Sequence, residues 1–291
     1  SYIATANCIM YVGAKPVFSE VNEDYNLDIN DVEKKINSKT KAILLVHQMG
    51  MPADIEAFQK LCKEKNLVLI EDAACAIGSE HKDKKIGSHS DLVCFSFHPR
   101  KIITTGDGGM ISTSNQKYYE RLKLLRQHGM SVNDRVRHKS DKLIFEDHLE
   151  VGYNYRMTDI QASVGIEQLK KLDEIVLERR KIAEKYISSF KNIKGIRLPV
   201  ERIGNKSNYQ SFSIYLEHNC KIERNKLMQK LLDVGIASRR GIMTAHQETA
   251  YKNRNEALPI SEDLRDNSII IPLFNSMNEK EVEYVINSIK N

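Results

Sequence analysis

The 291-residue sequence contains no tryptophan, only 6 prolines and only 5 cysteines. Cys8, Cys62, Cys75, Cys94 and Cys220 are odd in number, widely spaced and free of any C-x-x-C pair, which excludes a disulfide framework and a zinc knuckle. The 9 histidines show no H-E-x-x-H spacing, so no metal site is indicated. No apolar run is long enough to span a bilayer and no secretory leader opens the chain, so no membrane role is expected. The reducing cytoplasm is the expected compartment, and there the one glycosylation sequon, Asn205-Lys206-Ser207, stands idle. Charge of one sign is missing too: 44 basic against 39 acidic residues leave +5, mixed along the chain, which argues against nucleic-acid binding. The densest basic run, Arg135 to Lys142, reads as a solvated loop before it reads as an anion site.

What is present is an ordinary globular composition, 41% hydrophobic and 29% charged. Single cores stop growing near this length, so two lobes are expected. A large α/β domain over 1–190 and a smaller C-terminal α+β domain over 191–291 fit the pattern, with Gly195, Pro199 and Gly204 punctuating the passage between them. Ala42 to Val46, Leu67 to Ile70, Leu92 to Phe97 and Met110 to Ser112 read as buried parallel strands. Asp54 to Lys65 puts Ile55, Phe58, Leu61 and Cys62 on one helical face, and Gln116 to His128 does likewise with Tyr119, Leu122 and Leu125. Alternation of this kind means a mainly parallel sheet flanked by helices. Thr158 to Gln161 has the form of a capping box opening one long helix that stays helix-compatible to Phe190. Beyond it, Ser211 to Leu216 alternates like a strand, Glu223 to Val234 is amphipathic, and Asn278 to Glu281 caps a last helix.

Ligands of open α/β sheets bind outside the carboxyl ends of the strands, so polar residues directly after apolar runs come first. Two stretches qualify: Leu67 to Ala74, where Asp72 leaves a strand among small residues, and Cys94 to Lys101, which continues through Thr105-Gly106-Asp107-Gly108-Gly109. Together they supply an amine, a carboxylate and a hydroxyl. Those are the groups a pyridoxal 5'-phosphate (PLP) enzyme needs for its aldehyde, its pyridine nitrogen and its phosphate. The glycine turn matches neither the P-loop nor the dinucleotide fingerprint, and reads as a turn feeding a strand.

These residues resemble the DegT/StrS family of sugar aminotransferases, fold type I PLP enzymes that act on nucleotide-linked keto sugars. The resemblance is carried by E-D-A-A at Glu71 to Ala74, S-F-H-P-R-K at Ser96 to Lys101, T-G-D-G-G at Thr105 to Gly109 and G-Y-N-Y-R-M-T-D-I-Q-A at Gly152 to Ala162. It covers essentially the whole chain. It implies Lys101 as the Schiff-base lysine and proton carrier, Asp72 as partner of the pyridine nitrogen and Ser96 as a phosphate contact. It implies further that Tyr2 stacks on the cofactor ring, that Cys75 faces the ring hydroxyl where relatives carry Gln or His, and that His98 and His246 line the sugar pocket. Asn154 would reach the phosphate of a neighbouring subunit, which means a homodimer with shared active sites. The expected reaction moves an amino group from an amino-acid donor, glutamate, to a nucleotide-linked keto sugar. Two other readings stand beside it: a dehydratase branch, in which a histidine replaces the lysine, and a non-catalytic, regulatory fragment of the same fold. The chain opens at Ser1, and the resemblance implies that the family's N-terminal segment, with an S-G-T phosphate turn at a helix N-terminus, is absent from this stretch and would leave it inactive.

Overall fold

The computed structural model describes residues 1–132, 141–251 and 256–290. Helix α1 (Ile3–Tyr11) and helix α2 (Ile29–Lys35) precede strand β1 (Ala42–Val46), helix α3 (Ile55–Lys65) and strand β2 (Val68–Asp72). The β1–α3–β2 unit is a parallel crossover, in register from Ala42 opposite Val68 to Val46 opposite Asp72. Asp54 caps α3 by accepting from the Ala57 N–H, and Asn66 ends it in the left-handed region at φ 54°. The buried face of α3 is Ile55, Phe58, Leu61 and Cys62, as its periodicity requires.

The short strands β3 (Glu80–His81) and β4 (Lys84–Lys85) lead to β5 (Val93–Ser96), which runs parallel to β2, and to β6 (Gly109–Ser112). The expectation for Met110 to Ser112 is corrected here: β6 pairs antiparallel to β5, and Met110 and Ile111 are 51% and 41% exposed. The cause lies in the connection. The Phe97 N–H donates to Gly108 O and the Thr105 N–H to Phe97 O, so the chain doubles back at once without a crossover helix. The sheet order is β1-β2-β5-β6.

Helix α4 (Gln116–Leu125) is shorter than expected and buries no residue; Tyr119 is exposed, with the Lys123 ammonium 4.9 Å from its ring centre. The long helix is two helices, α5 (Asp159–Lys170) and α6 (Leu172–Phe190), broken at Lys171, whose N–H donates to Gln168 O in a tightened last turn. After them come β7 (Ile196–Arg197), β8 (Asn205–Lys206), β9 (Phe212–Leu216), α7 (Arg224–Asp233), β10 (Arg239–Arg240), α8 (Pro259–Asn267), β11 (Ser268–Ile271) and α9 (Glu279–Lys290). Four of these strands form an antiparallel sheet in the order β10-β11-β9-β7, and β4-β3-β8 form a third, small sheet. Strand β9 does not alternate: all five residues are buried, because it lies between β11 and β7 with helices against it. Asn278 and Glu281 close a reciprocal cap on α9.

Around the antiparallel sheet, Tyr186 and Phe190 of α6 pack with Phe212, Ile214, Leu231 and Ile269 in the largest core cluster. Asn205 of the sequon is buried, donating to Pro52 O and bonded to His81, so it offers no glycan acceptor. The run Arg135 to Lys142 lies outside the described residues except for Asp141 and Lys142.

Candidate active site

Neighbouring parallel strands β2 and β5 place their last residues, Asp72 and Ser96, at one edge of the sheet, with Asp72 opposite Cys94 in the ladder. Asp72 is half-buried and bound at both oxygens. The Ala74 N–H donates to Oδ1 at 3.0 Å, and the Thr5 hydroxyl donates to Oδ2 at 2.7 Å. Each oxygen keeps a lone pair for another donor. Cys94 and Cys8 feel this carboxylate: burial first and Asp72 next push the Cys94 thiol up to about 11 and raise that of Cys8 as well. Both thiols therefore stay protonated beside Asp72.

Lys101 occupies the turn after β5, where its N–H donates to His98 O at 2.9 Å. Ile102 and Ile103, which follow it, are buried against Phe97 and Ile175, so the loop is pinned on both sides of the lysine's exit. The amine reaches across to the loop after β2 and donates to Cys75 Sγ at 3.2 Å. Among the described residues no carboxylate forms an ion pair with Lys101. The Ser96 Oγ accepts from the His98 N–H at 3.3 Å, which leaves its own hydrogen free to donate. Asp72, Cys75, Ser96, His98 and Lys101 are thus gathered at the carboxyl ends of β2 and β5. Tyr2 is 64% exposed at the N-cap of α1, three residues from Thr5. Asn154 is exposed in an isolated bridge with Gln127. His246 is buried 2.9 Å from Glu262 Oε1 and has Phe18 beside it.

Sequence reasoning overlooked Thr5, His47, Asn208 and Gln210. His47 stands directly after the apolar run of β1, so the same strand-end rule that selected Asp72 could have found it. It is fully buried against Glu71, the neighbour of Asp72. Thr5 had only its nearness to Tyr2 to recommend it, and nothing local marked the other two.

The model of the DegT/DnrJ/EryC1/StrS aminotransferase family matches residues 1–290, and the chain belongs to that family. It is a PLP-dependent aminotransferase of fold type I. The chain is 35% identical over 290 residues to the GDP-perosamine synthase of Escherichia coli O157:H7, covering 99% of this chain and 76% of that protein. Its structure is similar to Helicobacter pylori PseC, an aminotransferase involved in the biosynthesis of pseudoaminic acid, with TM-score 0.91, 30% identity and coverage of 100% and 76% of the two chains. Spr1654 of Streptococcus pneumoniae in its PLP form gives TM-score 0.90 at 28% identity, covering 100% of this chain and 78% of that one.

The residues present fit that cofactor. An amine bonded, among the described residues, only to a thiol, a carboxylate with spare lone pairs and a hydroxyl with a free hydrogen match an aldehyde, a protonated ring nitrogen and a phosphate.

Proposed function

We propose that this chain is a sugar aminotransferase that moves an amino group from glutamate to a nucleotide-linked keto sugar, with Lys101 as its catalytic amine. The observation that carries the reading is the 3.2 Å contact from Lys101 Nζ to Cys75 on the loop that Asp72 opens. It puts amine and carboxylate on facing loops of one sheet edge. GDP-perosamine synthase and PseC, both similar to this chain, support the sugar substrate.

When bound, PLP supplies an electron sink for the bond-breaking steps at the amino carbon. Lys101 would hold the cofactor's aldehyde carbon, and its amine would hold and move the proton at the substrate's amino carbon. Asp72 would hold the ring nitrogen in its protonated form by a charge-assisted hydrogen bond, with Thr5 and Ala74 keeping the carboxylate aimed. Ser96 would donate to the phosphate, Cys75 would face the ring hydroxyl and Tyr2 would cover the ring. His98 and His246 would border the sugar.

The reading extends to a homodimer working in the cytoplasm. Leu143, Phe145, Val151, Tyr155 and Ile160, in the stretch of sequence on either side of Asn154, are between 72% and 90% exposed, and a second copy would cover them. Asn154, next to the stacked rings of Tyr153 and Tyr155, would then reach the partner's phosphate site. Among the described residues no helix is long and apolar enough to cross a membrane, and all 5 cysteines are free.

The test is reconstitution with PLP, borohydride reduction and peptide mapping, followed by mass spectrometry of a panel of nucleotide-linked keto sugars incubated with glutamate. Label on Lys101 and an amino sugar formed together with 2-oxoglutarate are expected. Label on another lysine, or no amino sugar from any member of the panel, overturns the reading.

A further inference from the structure

We propose that Asn208 and Gln210 are positioning residues that set the spacing between the Cys75 loop and the Lys101 loop. The proposal rests on the reading of Lys101 given above. Asn208 is fully buried, and its Nδ2 donates to the carbonyls of Cys75 at 2.9 Å and Ile77 at 2.8 Å. Its backbone N–H donates to the Ser79 hydroxyl oxygen at 3.1 Å, so the residue spends its donors on the loop that follows β2. Two residues on, Gln210 Nε2 donates to Arg100 O at 2.8 Å, one residue before the catalytic amine. The two side chains are tied to each other as well, because the Gln210 N–H donates to Asn208 Oδ1 at 2.8 Å. A tripeptide thus grips the two facing loops at Cys75 on one side and, on the other, at Arg100, the neighbour of Lys101.

The grip has its own support. Tyr209, between the two amides, is held at φ 47°, a left-handed conformation that a tyrosine keeps only when its surroundings impose it. Arg179 of α6 imposes it. Its Nε and Nη2 donate to Tyr209 O at 3.0 and 2.8 Å, and Nη2 also reaches Gln210 O and Leu273 O at 2.9 Å. Arg179 is 5% exposed and has no carboxylate partner among the described residues, and burial pushes its guanidinium down to about 10. A buried guanidinium satisfied by carbonyls alone is costly unless the geometry it enforces is kept. Gly50 makes room on the other side: a Cβ there would meet the Asn208 amide oxygen.

Gln210 Oε1 is buried without a partner among the described residues, a cost borne by an amide whose other end holds the Lys101 loop.

The experiment uses the full chain with Gln210→Met, which keeps the side chain's length and removes the donor. In the apoprotein, amide hydrogen exchange over residues 98–105 should speed by about tenfold, as expected for loss of one buried hydrogen bond. The apparent PLP affinity should fall by about tenfold. The pH midpoint of the bound chromophore should also move, a change that a purely structural tie would not cause. Unchanged exchange, affinity and midpoint overturn the proposal. If Gln210→Met does not fold, Gln210→Asn, whose donor falls one methylene short, is read in the same way and must show the same changes. Borohydride mapping of the unaltered protein separates the two ideas: label away from Lys101 defeats the catalytic reading, while exchange in the apoprotein still decides the positioning one.

Discussion

His47 Nε2 lies 2.8 Å from Glu71 Oε2, and both side chains are wholly buried. The Ala53 N–H donates to His47 Nδ1 at 3.1 Å, so the ring proton sits on Nε2 and faces the carboxylate. The backbone N–H of His47 in turn donates to Asp72 O at 3.1 Å. A buried polar pair therefore welds β1 to β2 one residue from the proposed partner of the cofactor nitrogen.

Breaking this pair should be costly. Burial alone would raise the pKa of Glu71, but hydrogen bonding, first of all from His47, outweighs it and holds the carboxyl below its ordinary 4.5. A lowered folded-state value means stability that is present above 4.5 and lost as pH falls through the folded value. His47→Ala leaves the carboxylate buried without its partner and should destabilise by roughly 3 to 5 kcal/mol at pH 7. Chemical denaturation from pH 7 down to 3 checks both statements: the unaltered protein should weaken on the acid side of 4.5, and the variant should lose less there because it begins without the pair.

Thr5 is a second partner of the same neighbourhood. Its hydroxyl donates to Asp72 Oδ2 at 2.7 Å, and a hydrogen bond to a charged acceptor is worth about 1.5 to 3 kcal/mol. Thr5→Val keeps the shape and removes the donor. PLP affinity should fall by about tenfold or more, because the carboxylate is no longer aimed. Fluorescence titration of the apoprotein measures this, and an affinity equal to that of the unaltered protein would show that the Ala74 N–H suffices.

How much of this could be read in the sequence depended on distance along the chain. Asp72, Ser96 and Lys101 each follow an apolar run or its short turn, so a local rule reached them. The buried face of α3 was equally plain because one helix carries the whole pattern. Thr5 and Asp72 are 67 residues apart, and Asn208 and Cys75 are 133 apart. Such pairs leave no periodic trace, since nothing local distinguishes a threonine or asparagine that will find a partner from one that will not. The direction of β6 failed for a related reason. Apolar content shows that a strand forms, whereas its orientation is decided by how the loop closes, here through Phe97 and Gly108. The break at Lys171 also escaped notice, because each helix is locally sound and the residue between them is an ordinary helix former.

Gly50 is the tightest backbone position beside the site. It sits at φ 93°, and a Cβ would lie 1.9 Å from Asn208 Oδ1 and 3.1 Å from Cys75 O. Gly50→Ala must therefore bear a strained backbone, about 1 to 3 kcal/mol, and displace the amide that holds the Cys75 loop. The expected outcome is a lower thermal midpoint together with weakened PLP binding, read by calorimetry and titration on the same sample. A variant with unaltered midpoint and affinity would show that Asn208 can move aside freely.

Gln161 offers a sharper comparison because it serves two structures at once. Its N–H donates to Thr158 Oγ1 at 3.2 Å while its Oε1 accepts from the Thr158 N–H at 3.0 Å, completing the cap of α5. Its Nε2 donates to Asp107 O at 2.9 Å, which ties the same helix end to the glycine turn between Lys101 and β6. Thr158→Ala removes only a cap and should cost about 1 kcal/mol. Gln161→Ala removes its half of the cap and the tie, and should cost about 1 kcal/mol more, with faster amide exchange over residues 105–109 that Thr158→Ala does not produce. Denaturation curves of both variants, read beside exchange over that turn, decide whether the glycine turn is held from α5 or stands by itself; equal costs with equal exchange would mean that the bond to Asp107 contributes nothing.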